Sequence, residues 1–123
     1  MAEALAKKMF GNNIFIDSVG IHDDLGKINP FTVSVMAEIG IDVSKHHPKN
    51  FETLNDSSFD LVITLSPEAH HRALDLTRFY STDVEYWPTM DPTKERGSRE
   101  NIIAAFRSVR DYLEGKIRER LAI

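Results

Sequence analysis

Alternating apolar and polar stretches predict a regular succession of helices and strands along this chain. Ala2, Leu5, Ala6 and Met9 recur at helical spacing, so residues 1–10 are predicted to form an amphipathic helix. Three apolar runs predict strands at residues 14–20, 59–65 and 84–87. Each run is followed by a segment with helical periodicity. This alternation predicts an α/β fold in which a parallel sheet carries helices on both faces, as three layers.

Short polar motifs mark the predicted helix ends. Asn29-Pro30 combines a capping residue with proline at the first helical position, and Ser66-Pro67-Glu68 adds an acid in the first turn. Ser98 can cap the last helix, and Gly40 is expected to end the second one. Nothing caps the start of the first helix at Met1, which suggests that something upstream is missing.

Composition narrows the class of protein. The 123 residues fit one domain, residues 1–123. A net charge of −4 argues against nucleic acid as the main partner. No apolar run approaches the roughly 20 residues of a membrane span, and residues 1–10 do not resemble a signal peptide, so a cytoplasmic location is expected. There is no cysteine, which excludes thiol chemistry for these residues.

Asp91-Pro92 is the main candidate for chemistry. The pair follows the predicted strand 84–87 and precedes the long last helix. Ligands of parallel α/β sheets bind beyond the carboxyl ends of the strands, so an aspartate there could serve as a general acid. Asp-Pro is also a common turn dipeptide, and both interpretations stay open.

Other candidate residues have simpler explanations. The pairs His46-His47 and His70-His71 lack the spacing of a helical metal site, and a solvated surface is the expected place for His70 and His71. Ser66 has no GxSxG motif around it, and capping explains it. We therefore expect no metal and no organic cofactor.

Five segments, in order, resemble the low-molecular-weight protein tyrosine phosphatase family, which includes thiol-dependent arsenate reductases. They are Met1-Ala2-Glu3-Ala4-Leu5, Asp17-Ser18-Val19-Gly20, Gly40-Ile41-Asp42-Val43-Ser44 with His46, the run FDLVITL at residues 59–65, and Asp91-Pro92. The resemblance covers essentially the whole chain. It implies a phosphotyrosine phosphatase I-like fold.

The resemblance also implies a mechanism. In the family, a C-x5-R-[ST] loop wraps phosphate at a helix N-terminus, and its cysteine forms a covalent phosphate intermediate. Asp91 matches the general acid that protonates the leaving oxygen. Ser18 and His46 match polar residues that brace the phosphate loop. The substrate would be a phosphorylated protein or a small phosphomonoester.

The chain departs from this pattern in three ways. It lacks the family's first strand, the nucleophilic cysteine and the loop arginine. By resemblance the sheet order is 2-1-3-4, so the absence of a central strand would expose edges at residues 14–20 and 59–65 and favour homo-oligomers. Thr93 follows Asp91-Pro92 where tyrosine-directed members usually carry an aromatic residue, which weakens the expectation of phosphotyrosine preference.

Three functions follow from these observations. The first is a truncated phosphatase whose complete parent hydrolyses phosphomonoesters, the chain as given being inactive. The alternative is a cysteine-less, non-catalytic binding module on the same fold. An arsenate reductase relative ranks third, because that chemistry would need further cysteines.

Overall fold

The computed structural model describes residues 1–11, 14, 16–18, 28–45, 59–77 and 82–121. These residues contain four α-helices and two strands. In chain order they are α1 (Ala2–Phe10), α2 (Pro30–Ala37), β1 (Leu61–Thr64), α3 (Pro67–Thr77), β2 (Asp83–Tyr86) and α4 (Arg99–Leu121), with a 3₁₀ turn at Pro92–Lys94. They fall into two compact units, a helical unit of α1, α2, the 3₁₀ turn and α4, and a strand unit of β1, α3 and β2.

Side-chain caps begin the helices where the sequence predicts. Asn29 Oδ1 accepts a hydrogen bond from the Phe31 N–H at 2.8 Å, with Pro30 at the first helical position. Ser66 Oγ accepts from the Ala69 N–H at 3.1 Å, and Ser98 Oγ accepts from the Asn101 N–H at 3.2 Å. At α1, Met1 is the N-cap residue and makes no side-chain cap bond, as predicted.

Gly40 ends α2 through a Schellman motif. Its φ of +78° lies in the left-handed region that favours glycine. The N–H of Ile41 donates to the Met36 carbonyl at 3.0 Å, and the N–H of Gly40 donates to the Ala37 carbonyl at 3.0 Å. Lys8 of α1 also donates to the Ile39 carbonyl at 2.8 Å. The end of α2 is therefore fixed both locally and by α1.

The core of the helical unit lies along α4. The sequence predicts one apolar face of α4, formed by Ile102, Phe106, Val109, Leu113, Ile117 and Leu121. Phe106, Val109, Leu113 and Ile117 of this face are buried. α4 packs against both α1 and α2. The Phe31 ring stacks on Phe106 with centroids 5.5 Å apart.

The prediction for the buried face of α2 is partly wrong. Val33, Met36 and Ala37 lie at helical spacing in the sequence and predict one apolar face, but the buried residues are Thr32, Val35 and Met36. Apolar residues lie on every side of this short helix, so its sequence carries little signal about which face is buried. Packing against α4 decides which face is buried.

Ion pairs join Glu38, the C-cap residue of α2, to two arginines of α4 beside this core. Arg107 binds both carboxylate oxygens of Glu38, with Nη2 to Oε2 at 2.6 Å. Arg110 is buried and donates to Glu38 Oε1 and to the Val35 carbonyl, both at 2.8 Å. Arg107 and Arg110 together lower the pKa of Glu38 to about 2, because they stabilise its ionised form.

In the strand unit, β1 and β2 pair in parallel with Leu61 opposite Asp83 and Thr64 opposite Tyr86. α3 packs against both strands. Parallel pairing confirms the predicted α/β fold class. β1 is shorter than the predicted run 59–65, whereas β2 has the predicted length of four residues and begins one residue early, at Asp83. Leu61, Val62 and Ile63 are half-buried rather than covered on both faces.

Within the predicted strand 14–20, the described residues are not in a strand. Ile14 lies in a bend and residues 16–18 are irregular; the other residues of that range lie outside the described part. Apolar content alone does not make a strand, because a strand also needs a neighbour for its backbone hydrogen bonds. The single domain, the three layers and the four-strand order stay predictions.

Candidate active site

Asp91 immediately precedes the 3₁₀ turn Pro92–Lys94, five residues after the end of β2 in the sequence. Proline fixes φ at the first position of this turn, and Asp91 acts as its cap. Oδ1 of Asp91 accepts two hydrogen bonds from Thr93, from the N–H at 3.0 Å and from Oγ1 at 2.6 Å. The Asp91 side chain is exposed and held in one orientation by its neighbour.

Electrostatics favour the ionised form of Asp91. The Thr93 hydroxyl lowers the pKa of Asp91 most, and the Thr93 N–H and the charge of Lys94 act in the same direction; partial burial opposes them. Without a substrate the group is therefore a carboxylate at neutral pH. A phosphate dianion beside it would raise the pKa, because like charges disfavour ionisation.

Ser18 lies at a different place in the helical unit. Its Oγ donates to Glu3 Oε1 at 2.7 Å, and its N–H donates to Asp17 Oδ1 at 2.9 Å. Lys7 binds the other oxygen of Glu3 at 3.1 Å. The Ser18 hydroxyl is thus fixed against the first turn of α1. His46, the third predicted site residue, lies outside the described residues.

The structure does not bring Ser18 and Asp91 into hydrogen-bond contact within its described part. Two hydrogen-bond partners of the candidate residues were not predicted from the sequence, Thr93 for Asp91 and Glu3 for Ser18. The sequence Asp-Pro-Thr does contain a signal for the first of these contacts, because an aspartate side chain often accepts a hydrogen bond from the backbone N–H two residues further along the chain. Glu3 and Ser18 are fifteen residues apart, and no local pattern links them.

His70 belongs to a second polar cluster, in the strand unit. Its Nδ1 lies 3.0 Å from Thr64 Oγ1, and its ring stacks on Tyr86 with centroids 5.2 Å apart. Thr64 and Tyr86 are the last residues of β1 and β2. The expectation of a solvated His70 is therefore wrong, whereas His71 is exposed as expected. The Trp87 ring is buried, whereas the Tyr86 ring is partly exposed.

The described residues contain no group of His, Cys, Asp and Glu side chains suited to hold a metal ion. Within the same residues no helix is long and apolar enough to cross a membrane.

Fold, sequence and site point to one class of protein. The model of the low molecular weight phosphotyrosine protein phosphatase family matches residues 1–122. The chain belongs to this family, and the resemblance seen in its sequence is confirmed.

Individual relatives agree with this assignment. An arsenate reductase of Bacillus subtilis is 31% identical over 119 residues, covering 97% of this chain and 83% of the relative. Two solved structures share the fold. An arsenate reductase in its oxidised state has a TM-score of 0.75 at 24% identity, and the match covers 96% of this chain and 82% of the arsenate reductase chain. The tyrosine phosphatase AmsI of Erwinia amylovora has a TM-score of 0.75 at 18% identity, covering 96% and 79%.

Proposed function

We propose that this chain contains the proton donor of a phosphomonoester hydrolase, and that this donor is Asp91. Asp91 would protonate the leaving oxygen of a phosphorylated protein or a small phosphomonoester, and then take a proton from the hydrolytic water. The observation that carries this proposal is the exposed Asp91 carboxylate, held by Thr93 directly before the 3₁₀ turn. Family membership supplies the class of reaction.

On this proposal, the 123-residue chain by itself does not hydrolyse phosphomonoesters. Hydrolysis through a Cys-phosphate intermediate needs a thiolate, and the chain has no cysteine. Asp91 only moves protons. We propose that the cysteine and arginine belong to a C-x5-R-[ST] loop that precedes α1, with Ser18 and His46 as its supports.

The orientation of Ser18 supports its part of this proposal. Its hydroxyl hydrogen is committed to Glu3, in the first turn of α1. The Ser18 oxygen still has a lone pair to accept a backbone N–H from a neighbouring loop. A serine fixed in this way stabilises a loop at the start of α1 and takes no part in the chemistry.

The test supplies the missing parts. The chain would be extended at its amino end by an apolar strand and a C-x5-R-[ST] loop that runs directly into α1, and then assayed on an aryl phosphate. We expect hydrolysis that depends on the added cysteine and falls roughly 10²–10⁴-fold with Asp91→Asn. Asp42→Asn is the matched control, because Asp42 makes the same two bonds to Ser44 elsewhere in the fold. An active extended chain indifferent to Asp91→Asn would overturn the proposed role.

Two further functions compete with this one. The Bacillus subtilis relative named above is an arsenate reductase, so the extended chain is also to be assayed for arsenate-dependent thiol oxidation.

A cysteine-less binding module is the other candidate. DNA that encodes, in frame before Met1, an apolar strand and C-x5-R-[ST] would support the hydrolase. A stop codon or unrelated sequence there would support the binding module.

Partners and location remain proposals from the sequence. The pairing of β1 with β2 uses one edge of β1. If its other edge takes up a second chain, the protein forms homo-oligomers. Sedimentation over a hundredfold dilution tests this, and a concentration-independent monomer would contradict it. We place the protein in the cytoplasm, with phosphorylated molecules rather than nucleic acid as partners.

A further inference from the structure

We infer that Thr93 is a positioning residue for Asp91, one that fixes Oδ1 and leaves Oδ2 as the oxygen that exchanges a proton with the substrate. This inference rests on the proposed role of Asp91 as general acid. It concerns a residue that stands where tyrosine-directed relatives usually carry an aromatic side chain.

The geometry distinguishes the two oxygens of the Asp91 carboxylate. Both hydrogen bonds from Thr93 end on Oδ1, the hydroxyl at 2.6 Å and the N–H at 3.0 Å. In the described part of the chain, Oδ2 receives no hydrogen bond from the protein. A carboxylic acid carries its proton on one oxygen, and an oxygen that already accepts two hydrogen bonds is the less favourable place for it. The proton of Asp91 therefore belongs on Oδ2.

The surrounding turn keeps Thr93 in place. Pro92 restricts φ at the start of the 3₁₀ turn, and the Lys94 N–H donates to the Asp91 carbonyl at 3.2 Å. Arg96 donates to the Thr93 carbonyl at 3.3 Å. A proton donor must be held in a productive geometry to be efficient, and Thr93 supplies that constraint through its side chain and its backbone.

The hydrogen bonds that hold Asp91 in place also change its pKa. Hydrogen bonds from Thr93 stabilise the charged carboxylate and so lower the pKa of Asp91, with Lys94 acting in the same direction. Thr93→Val keeps the backbone N–H and the shape of the side chain but removes the hydroxyl. Thr93→Ser keeps the hydroxyl. The two variants separate the hydrogen bond from the packing of the side chain.

The experiment is a ¹³C NMR titration of the aspartate carboxyl carbons in the 123-residue chain. In Thr93→Val, the titration midpoint of Asp91 should rise and its χ1 couplings should change from one rotamer to an average. Thr93→Ser should restore both. Asp42 is the internal control, because Ser44 binds its Oδ1 with an N–H at 2.9 Å and a hydroxyl at 2.6 Å, and its midpoint should not move.

Three results would overturn the inference. The first is an Asp91 midpoint unaffected by Thr93→Val. The second is a Thr93→Ser variant that behaves like Thr93→Val. The third is an Asp91 that titrates as an ordinary aspartate in the parent chain. None of these readouts requires catalysis, so a failure here is distinct from a failure of the extended chain to hydrolyse phosphate.

Discussion

The helical unit and the strand unit differ in how completely they bury their apolar residues. In the helical unit Phe106, Leu113 and Ile117 are each 2% exposed, and Val35 and Met36 are fully buried. In the strand unit the three apolar residues of β1 are half-buried, and Leu74 of α3 is 46% exposed. Apolar burial is the dominant favourable term in folding. The helical unit therefore holds most of the stabilising contacts found in the described residues.

The two units also differ in their polar contacts. Buried Arg110 and the Glu38 carboxylate hold α2 against α4 in the helical unit. In the strand unit Thr64 Oγ1 donates to the Glu85 carbonyl at 3.2 Å and lies 3.0 Å from His70 Nδ1. Both networks join elements that are distant in sequence. Of these two networks, only the one in the helical unit contains a buried charge, that of Arg110. Removing it should lower the free energy of unfolding more than removing the Thr64–His70 contact.

The largest effect is expected from matched isoleucine truncations. Ile117→Ala in α4 removes a side chain that is 2% exposed and should cost about 2–5 kcal/mol of unfolding free energy. Ile63→Ala in half-buried β1 should cost less than about half as much, since less area is removed from water. Urea titration followed by circular dichroism measures both. Equal losses at the two positions would refute the contrast between the units.

A smaller effect is expected from two arginines of α4. Arg110→Met should cost roughly 1–3 kcal/mol, because it leaves the Val35 carbonyl and one bond of Glu38 without a donor. The control is Arg118→Met, which removes an exposed pair with Glu114 and should cost less than about 1 kcal/mol. The same urea titration applies. Comparable losses for both variants would show that burial of Arg110 is unimportant.

The smallest effect concerns acid stability. The pKa of Glu38 is about 2 in the folded chain, below its ordinary value of 4.5. Between these values the unfolded state binds more protons, so the contribution of Glu38 is complete above about pH 4.5 and is lost as the pH falls towards 2. Glu38→Gln should flatten this part of the stability curve. An unchanged slope between pH 4.5 and 2 would count against the ion pairs in solution.

Features fixed by neighbouring residues could be predicted from the sequence. The caps at Asn29, Ser66 and Ser98 depend on contacts two or three residues away, and all three are confirmed. The described residues 14 and 16–18 do not form the predicted strand, and strand pairing depends on distant segments rather than on local sequence. The predicted buried face of α2 was partly wrong because apolar residues lie on every side of this short helix, so its sequence does not indicate which side packs.

The same distinction applies to the candidate site. Asp91 was predicted as a site residue because Asp-Pro after a strand is a local signal, and its role stays a prediction. The Glu3–Ser18 bond was not, because residues that far apart meet only after folding. Thr93 was noticed only as a departure from the family, although its hydroxyl binds Asp91.

The most direct test of the account is an aryl phosphate assay on the purified 123-residue chain. The chain contains no cysteine and therefore no thiol nucleophile, and the proposed proton donor Asp91 can only move protons, so we predict no turnover above that of the Asp91→Asn variant. Hydrolysis at rates typical of enzymes, abolished by Asp91→Asn, would contradict the account, because it would show that the nucleophile lies within these residues.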